Sequence, residues 1–185
     1  MRKIVLTFGL IAGAILSLMM AISMAFHDQI GFDRGMIVGY TSMVLSFLLV
    51  YFGVRRYRDT VAGGTIGFWR AFFVGFLITA VASLCYVVAW EVLSHFYMQD
   101  YMDKYAAYAL AKAQAAGATP EQLAAQAQEM ARFKELYANP FIKAAFTFLE
   151  PLPVALVMSL LSAGLLRRRG ESPERIPVGS TAPAL

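Results

Sequence analysis

The chain has 185 residues, 59% of them hydrophobic and only 15% charged, with a formal net charge of +4. Soluble domains are roughly 45–50% apolar and about 25% charged, so this composition argues against an ordinary water-soluble domain. The positive excess would point to nucleic acid in a soluble protein, but the cytoplasmic anchors of membrane helices produce the same excess, so nucleic acid is not an expected partner.

Four apolar stretches approach the roughly 20 residues needed to cross a ~30 Å hydrocarbon core: residues 4–26, 36–54, 72–93 and 141–166. None carries Lys or Arg inside, apart from Lys143 at the start of the fourth. Positive flanks alternate along the chain. Arg2 and Lys3 precede the first span, Arg55, Arg56, Arg58 and Arg70 separate the second and third, and Arg167, Arg168 and Arg169 follow the fourth. The short loop HDQIGFDRG between spans one and two holds only Arg34. The positive-inside rule then puts both termini in the cytoplasm. The start of the chain, an apolar run ending in Ser23-Met24-Ala25, has the form of a cleavable signal peptide. Signal cores run to ~7–15 residues and this run is longer, so a retained first span is expected.

RRYRDTVAGGTIGFWRAF (residues 55–72) is thereby a cytoplasmic turn rather than a phosphate loop, since no Lys-Ser/Thr pair follows its glycines. Gly63-Gly64 permits a tight turn, and Thr65 is placed to cap a helix beginning near Ile66. Phe68 and Trp69 fall at headgroup level.

A family pattern runs through the same region. Its parts are Gly39-Tyr40, then Gly53-Val54-Arg55-Arg56-Tyr57-Arg58-Asp59, then Gly63-Gly64-Thr65-Ile66, then Phe68-Trp69-Arg70-Ala71-Phe72. With these residues the chain resembles the DUF4199 family of bacterial membrane proteins, and more loosely so through the following insert and FLEPLPVALVMSLLSAGLLRRR. The resemblance implies a multi-span inner-membrane protein. It implies no activity and carries over no site residues, because the family is one of unknown function.

Small residues recur at every fourth position of span one: Gly9, Gly13, Ser17, Ala21 and Ala25. Span three repeats the device with Ala71, Gly75, Thr79 and Ser83, and shorter sets mark spans two and four. Such ridges let helix backbones approach closely. They are expected to hold one chain's bundle together, with homodimerisation as the alternative use. Bulky Leu, Met, Phe and Val sides are left for lipid. The lone Cys85 is expected to be a small buried hydrophobe.

Between spans three and four lies an insert, residues 94–140. Tyr97, Tyr101, Tyr105 and Tyr108 fall on one helical face, expected to be packed or interfacial, and Gly117 can end that helix. Thr119-Pro120-Glu121-Gln122 reads as a capping box with proline at the first helical position, and Asn139-Pro140 stops the second helix. A helical hairpin on the outer side follows, with continuation of span three as a variant. The last stretch, residues 167–185, mixes charge with Pro, Gly and Ser and reads as a disordered cytoplasmic tail. The fold class is therefore all-α: a four-helix transmembrane bundle, residues 1–166, with an extracytoplasmic helical hairpin.

Ionisable groups within spans are the default functional hypothesis in a membrane protein. Glu91 lies 21 residues past Arg70 and Glu150 lies 17 before Arg167. At 1.5 Å per residue they sit about 31 and 25 Å from the cytoplasmic anchors. Both histidines, His27 and His95, fall on the same outer side, and Glu91 and His95 are four apart on a helix. Three readings stay open: a hydrogen-bonded polar cluster of Glu91, Glu150, Tyr86 and His95 joining spans three and four; a divalent metal site or proton relay using Glu91, His95, His27 and Glu150; and plain interfacial exposure. Glu150 is expected near Tyr86, Lys143 or His95.

Composition and motifs offer no nucleophile–base pair, cofactor fingerprint or nucleotide loop, so no cofactor is expected. The reading carried forward is a non-enzymatic accessory or structural membrane protein whose partners are the lipid bilayer and a second copy or another membrane protein. The alternatives are a small transporter using Glu91 and Glu150, and a metalloprotein using the outer His/Glu set.

Overall fold

The computed structural model describes residues 1–167. The chain is all-α, with seven helices and no strand among the described residues: α1 Arg2–Ala25, α2 His27–Thr60, α3 Phe68–Phe96, α4 Tyr101–Ala115, α5 Pro120–Tyr137, α6 Pro140–Leu149 and α7 Leu152–Leu166. α1, α2, α3 and the α6–α7 pair are long and apolar enough to cross a membrane. Their outward faces support that assignment. Leu10, Leu18, Ile37, Leu45, Leu84, Val88 and Leu165 are each more than half exposed. Apolar area on that scale would be a severe liability in water and is ordinary against acyl chains.

α3 is the central helix, packed on α1, α2 and α7. Its row Ala71, Gly75, Thr79 and Ser83 is buried along its whole length because neighbours cover a wide arc of the helix. The ridge on α1 behaves differently. Gly9 and Gly13 are buried on α3, where an added Cβ would come within 2.7 Å of Val81 and of Cys85 respectively. Ser17 is only half-buried, and Ala12, Leu16 and Met20 continue the buried face instead. Four residues advance a helix by about 40° beyond a full turn, so an every-fourth row winds out of a single straight interface. Gly53 of α2 meets Ile78 and Phe8, and Gly75 meets Val50 and Ser159. These close approaches form a belt that seals the half of the bundle nearer the arginines.

The turn between α2 and α3 uses Gly63 and Gly64 at φ 66° and 86°, a region open to glycine without strain. The Gly64 N–H closes on the Arg58 carbonyl at 2.9 Å. Thr65 does not cap the next helix. Gly67 holds the N-cap position, and Ile66, 3% exposed, turns inward as a plug beneath the turn. Burying an isoleucine outweighs a hydroxyl cap worth about 1 kcal/mol. Tyr57, also buried, accepts from Arg70 Nη2 at 2.8 Å and Nε at 3.0 Å, tying the two helices across the turn.

At the opposite end the expected loop between spans one and two is largely helical. The chain reverses through Phe26, and α2 starts at once at His27 with a kink at Gly31 (φ 71°, ψ 168°). α3 ends at Phe96, so α4 is a separate helix rather than its continuation. Gly117, at φ 85°, closes α4, with Ala118 N–H donating to the Ala113 carbonyl. Both halves of the Thr119–Gln122 capping box form at the start of α5. α4 and α5 lie in contact, joined by Lys134 to Asp103. Lys112 to Asp33 (2.6 Å) ties α4 to the start of α2. Asn139 caps α6 by accepting from the Phe141 N–H.

Candidate functional site

The fourth span is broken where the sequence reads Glu150-Pro151. Proline at 151 cannot donate a backbone bond, and α6 stops at Leu149 before α7 resumes at Leu152. Glu150 stands at the break, and its Oε2 accepts from Tyr86 Oη at 3.1 Å. It is exposed, and it lines a cavity of about 610 Å³.

That cavity lies at the end away from the arginine turn, enclosed by the second half of α1, the first half of α2, Tyr86 and Trp90 of α3, α4, and parts of α5 and α6. Its aromatic wall is continuous. Phe32 packs on His27 (ring centroids 4.5 Å), Tyr105 (5.5 Å) and Tyr108 (4.8 Å), and Tyr101 packs on Trp90 at 5.1 Å. Trp90 Nε1 donates to Tyr137 Oη at 2.7 Å. The tyrosine stripe is thus a packed face at Tyr101 and Tyr108, with Tyr105 against Phe32 but exposed at its edge, whereas Tyr97 points outward, 76% exposed. Burial pushes the Tyr101 hydroxyl up to about 12, with Tyr137 and Glu150 adding to the shift. At the rim the hydrogen bond to Asp33 holds the Lys112 ammonium above its ordinary value.

The four candidate ligands of a metal do not converge, and among the described residues no three of His, Cys, Asp or Glu could hold an ion together. The polar cluster read from the sequence is two separate pairs. Tyr86 and Glu150 make one. Glu91 makes the other, with Lys143 Nζ 2.8 Å from its Oε2, while Lys143 also donates to Ser94 Oγ at 3.0 Å. His95 belongs to neither. It is exposed at the end of α3, its ring edge-on to Phe96 at 4.8 Å and its carbonyl taken by Gln99. His27 is 8% exposed and sits in the aromatic wall against Phe32. The i, i+4 spacing put Glu91 and His95 on one side of α3 but could not say that α6 covers only the Glu91 level.

Depth arithmetic could have found both pairs. Tyr86 lies 16 residues past Arg70, about 24 Å, which matches Glu150 at about 25 Å. Lys143 lies 24 residues before Arg167, about 36 Å, nearer the level of Glu91 than of Glu150. Of the arginine anchors, Arg70 bonds Tyr57, Arg58 and Arg55 pair with Asp59, and Arg56 and Arg167 are exposed. Arg168, Arg169 and the rest of the expected tail lie outside the described residues.

No curated protein and no solved structure matches the chain. Residues 7–168 match the family described as "Protein of unknown function (DUF4199)", a span that takes in all four long apolar helices but for the first five residues of α1. The chain belongs to that family.

Proposed function

We propose that the protein is a multi-pass component of the bacterial cytoplasmic (inner) membrane, non-enzymatic, acting as an accessory or structural element through contacts with lipid and with a second copy or another membrane protein. The observation that carries this reading is the charge asymmetry of the bundle. Arg2, Lys3, Arg55, Arg56, Arg58, Arg70 and Arg167 gather at one end, and the insert end mixes acids with bases. By the positive-inside rule the arginine end, with both termini, is cytoplasmic and α4–α5 are extracytoplasmic. A non-enzymatic role is supported by the polar residues within the spans. Glu91 is engaged by a lysine and Glu150 by a tyrosine, and the one serine beside them, Ser94, gives its hydroxyl to the Glu91 backbone carbonyl and accepts from Lys143, contacts that hold helices together.

Reporter enzymes active only outside the cytoplasm test the orientation. A fusion at Gly117 is expected to be active and a fusion at the C-terminus silent, with the protein retained in membranes after an alkaline wash. An active C-terminal fusion, or release by the wash, overturns the reading.

A further inference from the structure

The cavity combines four properties. Its volume, about 610 Å³, falls within the roughly 300–1,000 Å³ of small-molecule sites. Its lining is rich in pliant apolar side chains, with Met19, Met20, Met24 and Met43 inside and Met36 at the exposed edge. Methionine side chains adapt to differently shaped apolar guests. One wall is left bare, since Gly35 and Gly39 face it and a Cβ at either would meet nothing within 4 Å. Finally, the site ends in a carboxylate. Among the described residues no cationic side chain lies within ion-pair distance of Glu150, whose hydrogen bond comes from the neutral Tyr86 hydroxyl. The other charges on the lining, Asp33 and Lys112, cancel each other at 2.6 Å.

A carboxylate that faces an apolar and aromatic cavity with no cation among the described residues to pair it attracts positive charge. Tyr86, Trp90 and Tyr101 line the same cavity, and aromatic rings attract cations to their faces. We propose that this cavity binds a lipophilic cation, an apolar body seated among the methionines with an ammonium-type head between Glu150 and the Tyr86–Trp90–Tyr101 rings. A free amphiphilic amine and the ammonium of a lipid headgroup share this chemistry.

The full-length protein offers its own reporter. The chain has two tryptophans, and Trp69→Phe leaves Trp90 in the cavity wall. In a maltoside detergent, tetraphenylphosphonium is expected to change Trp90 fluorescence saturably, whereas the anion tetraphenylborate and the neutral triphenylphosphine oxide are not. Glu150→Gln keeps a hydrogen-bond acceptor for Tyr86 and is expected to weaken tetraphenylphosphonium roughly tenfold or more. Gly39→Leu starts from a position whose Cβ meets nothing within 4 Å and takes up part of the cavity, so it is expected to weaken binding while the protein keeps its helicity and elution volume. Displacement of the probe by dodecylphosphocholine assigns the site to a headgroup, and displacement by dodecyltrimethylammonium alone assigns it to a free amphiphile. Either result sustains the proposal. Absence of saturable tetraphenylphosphonium binding, equal affinity for the neutral oxide, or unchanged binding in Gly39→Leu overturns it.

Discussion

Lys143, near the start of α6, is held by two partners: the Glu91 carboxylate at 2.8 Å and the Ser94 hydroxyl at 3.0 Å. Glu91 gives its other oxygen, Oε1, no partner, and that atom is buried. The pair is therefore asymmetric: Glu91 depends on Lys143 more than Lys143 depends on Glu91. Removing one member of this half-buried ion pair leaves an uncompensated charge that solvent partly screens, at a cost of about 1–3 kcal/mol, below that of a fully buried pair. Lys143→Met is expected to lower thermal stability in detergent by about that amount, and Glu91→Gln in the same chain is expected to recover part of the loss. A Lys143→Met protein as stable as its parent would show the contact to be solvated trim. At this scale the sequence was legible in kind but not in pairing. Glu91 and Glu150 announce themselves as carboxylates in apolar runs, while their partners sit 52 and 64 residues away and become visible only once depth along each helix is compared.

Helix packing turns on where glycine is required and where it is merely present. Gly13 and Gly39 are both helical glycines in apolar spans, and nothing in their immediate sequence separates them. Yet a Cβ on Gly13 would lie 2.7 Å from Cys85 Cβ and 3.2 Å from the Ala82 backbone, and one on Gly39 would meet open space. Overpacking of this kind costs typically 1–3 kcal/mol. Gly13→Leu is expected to destabilise by about 3 kcal/mol in thermal unfolding and Gly39→Leu by little or nothing; equal losses would contradict the assignment of the α1–α3 seam. Turn and cap chemistry was read more easily, because it is local. Gly63-Gly64, Gly117, Thr119–Gln122 and Asn139-Pro140 act over three or four residues and do what their residue types dictate. Thr65 fails as a cap because Ile66 next to it has a better use, and that use depends on the bundle beneath. The kink that lets α2 begin at His27 rests on one glycine, Gly31, within an otherwise polar stretch that reads as loop.

In the whole molecule the two ends differ in kind. Near the arginines the helices close on Gly9, Gly53 and Gly75. Toward the insert they part around Leu16, Met43, Tyr86 and Glu150, and α4 lays its tyrosines over the opening. The sequence carried the parts of that cavity without its assembly. The tyrosine stripe, the methionines and the proline break were each visible, but their meeting depends on α4 folding back on α2 through Phe32 and Lys112, contacts 73 to 79 residues apart.

The small-residue ridges close the bundle within one chain. A Cβ at Gly75 would lie 3.4 Å from the Ser159 Cβ, close to the roughly 3.5–4.5 Å spanned by a disulfide. In a Cys85→Ser background, Gly75→Cys with Ser159→Cys should therefore cross-link α3 to α7 under mild oxidation. The account predicts a monomer of altered gel mobility whose halves stay together, until reduced, after the insert is cut at its lysines and arginines. No cross-link, or a disulfide formed only between two chains, would contradict it and make the Gly75 ridge a dimer face.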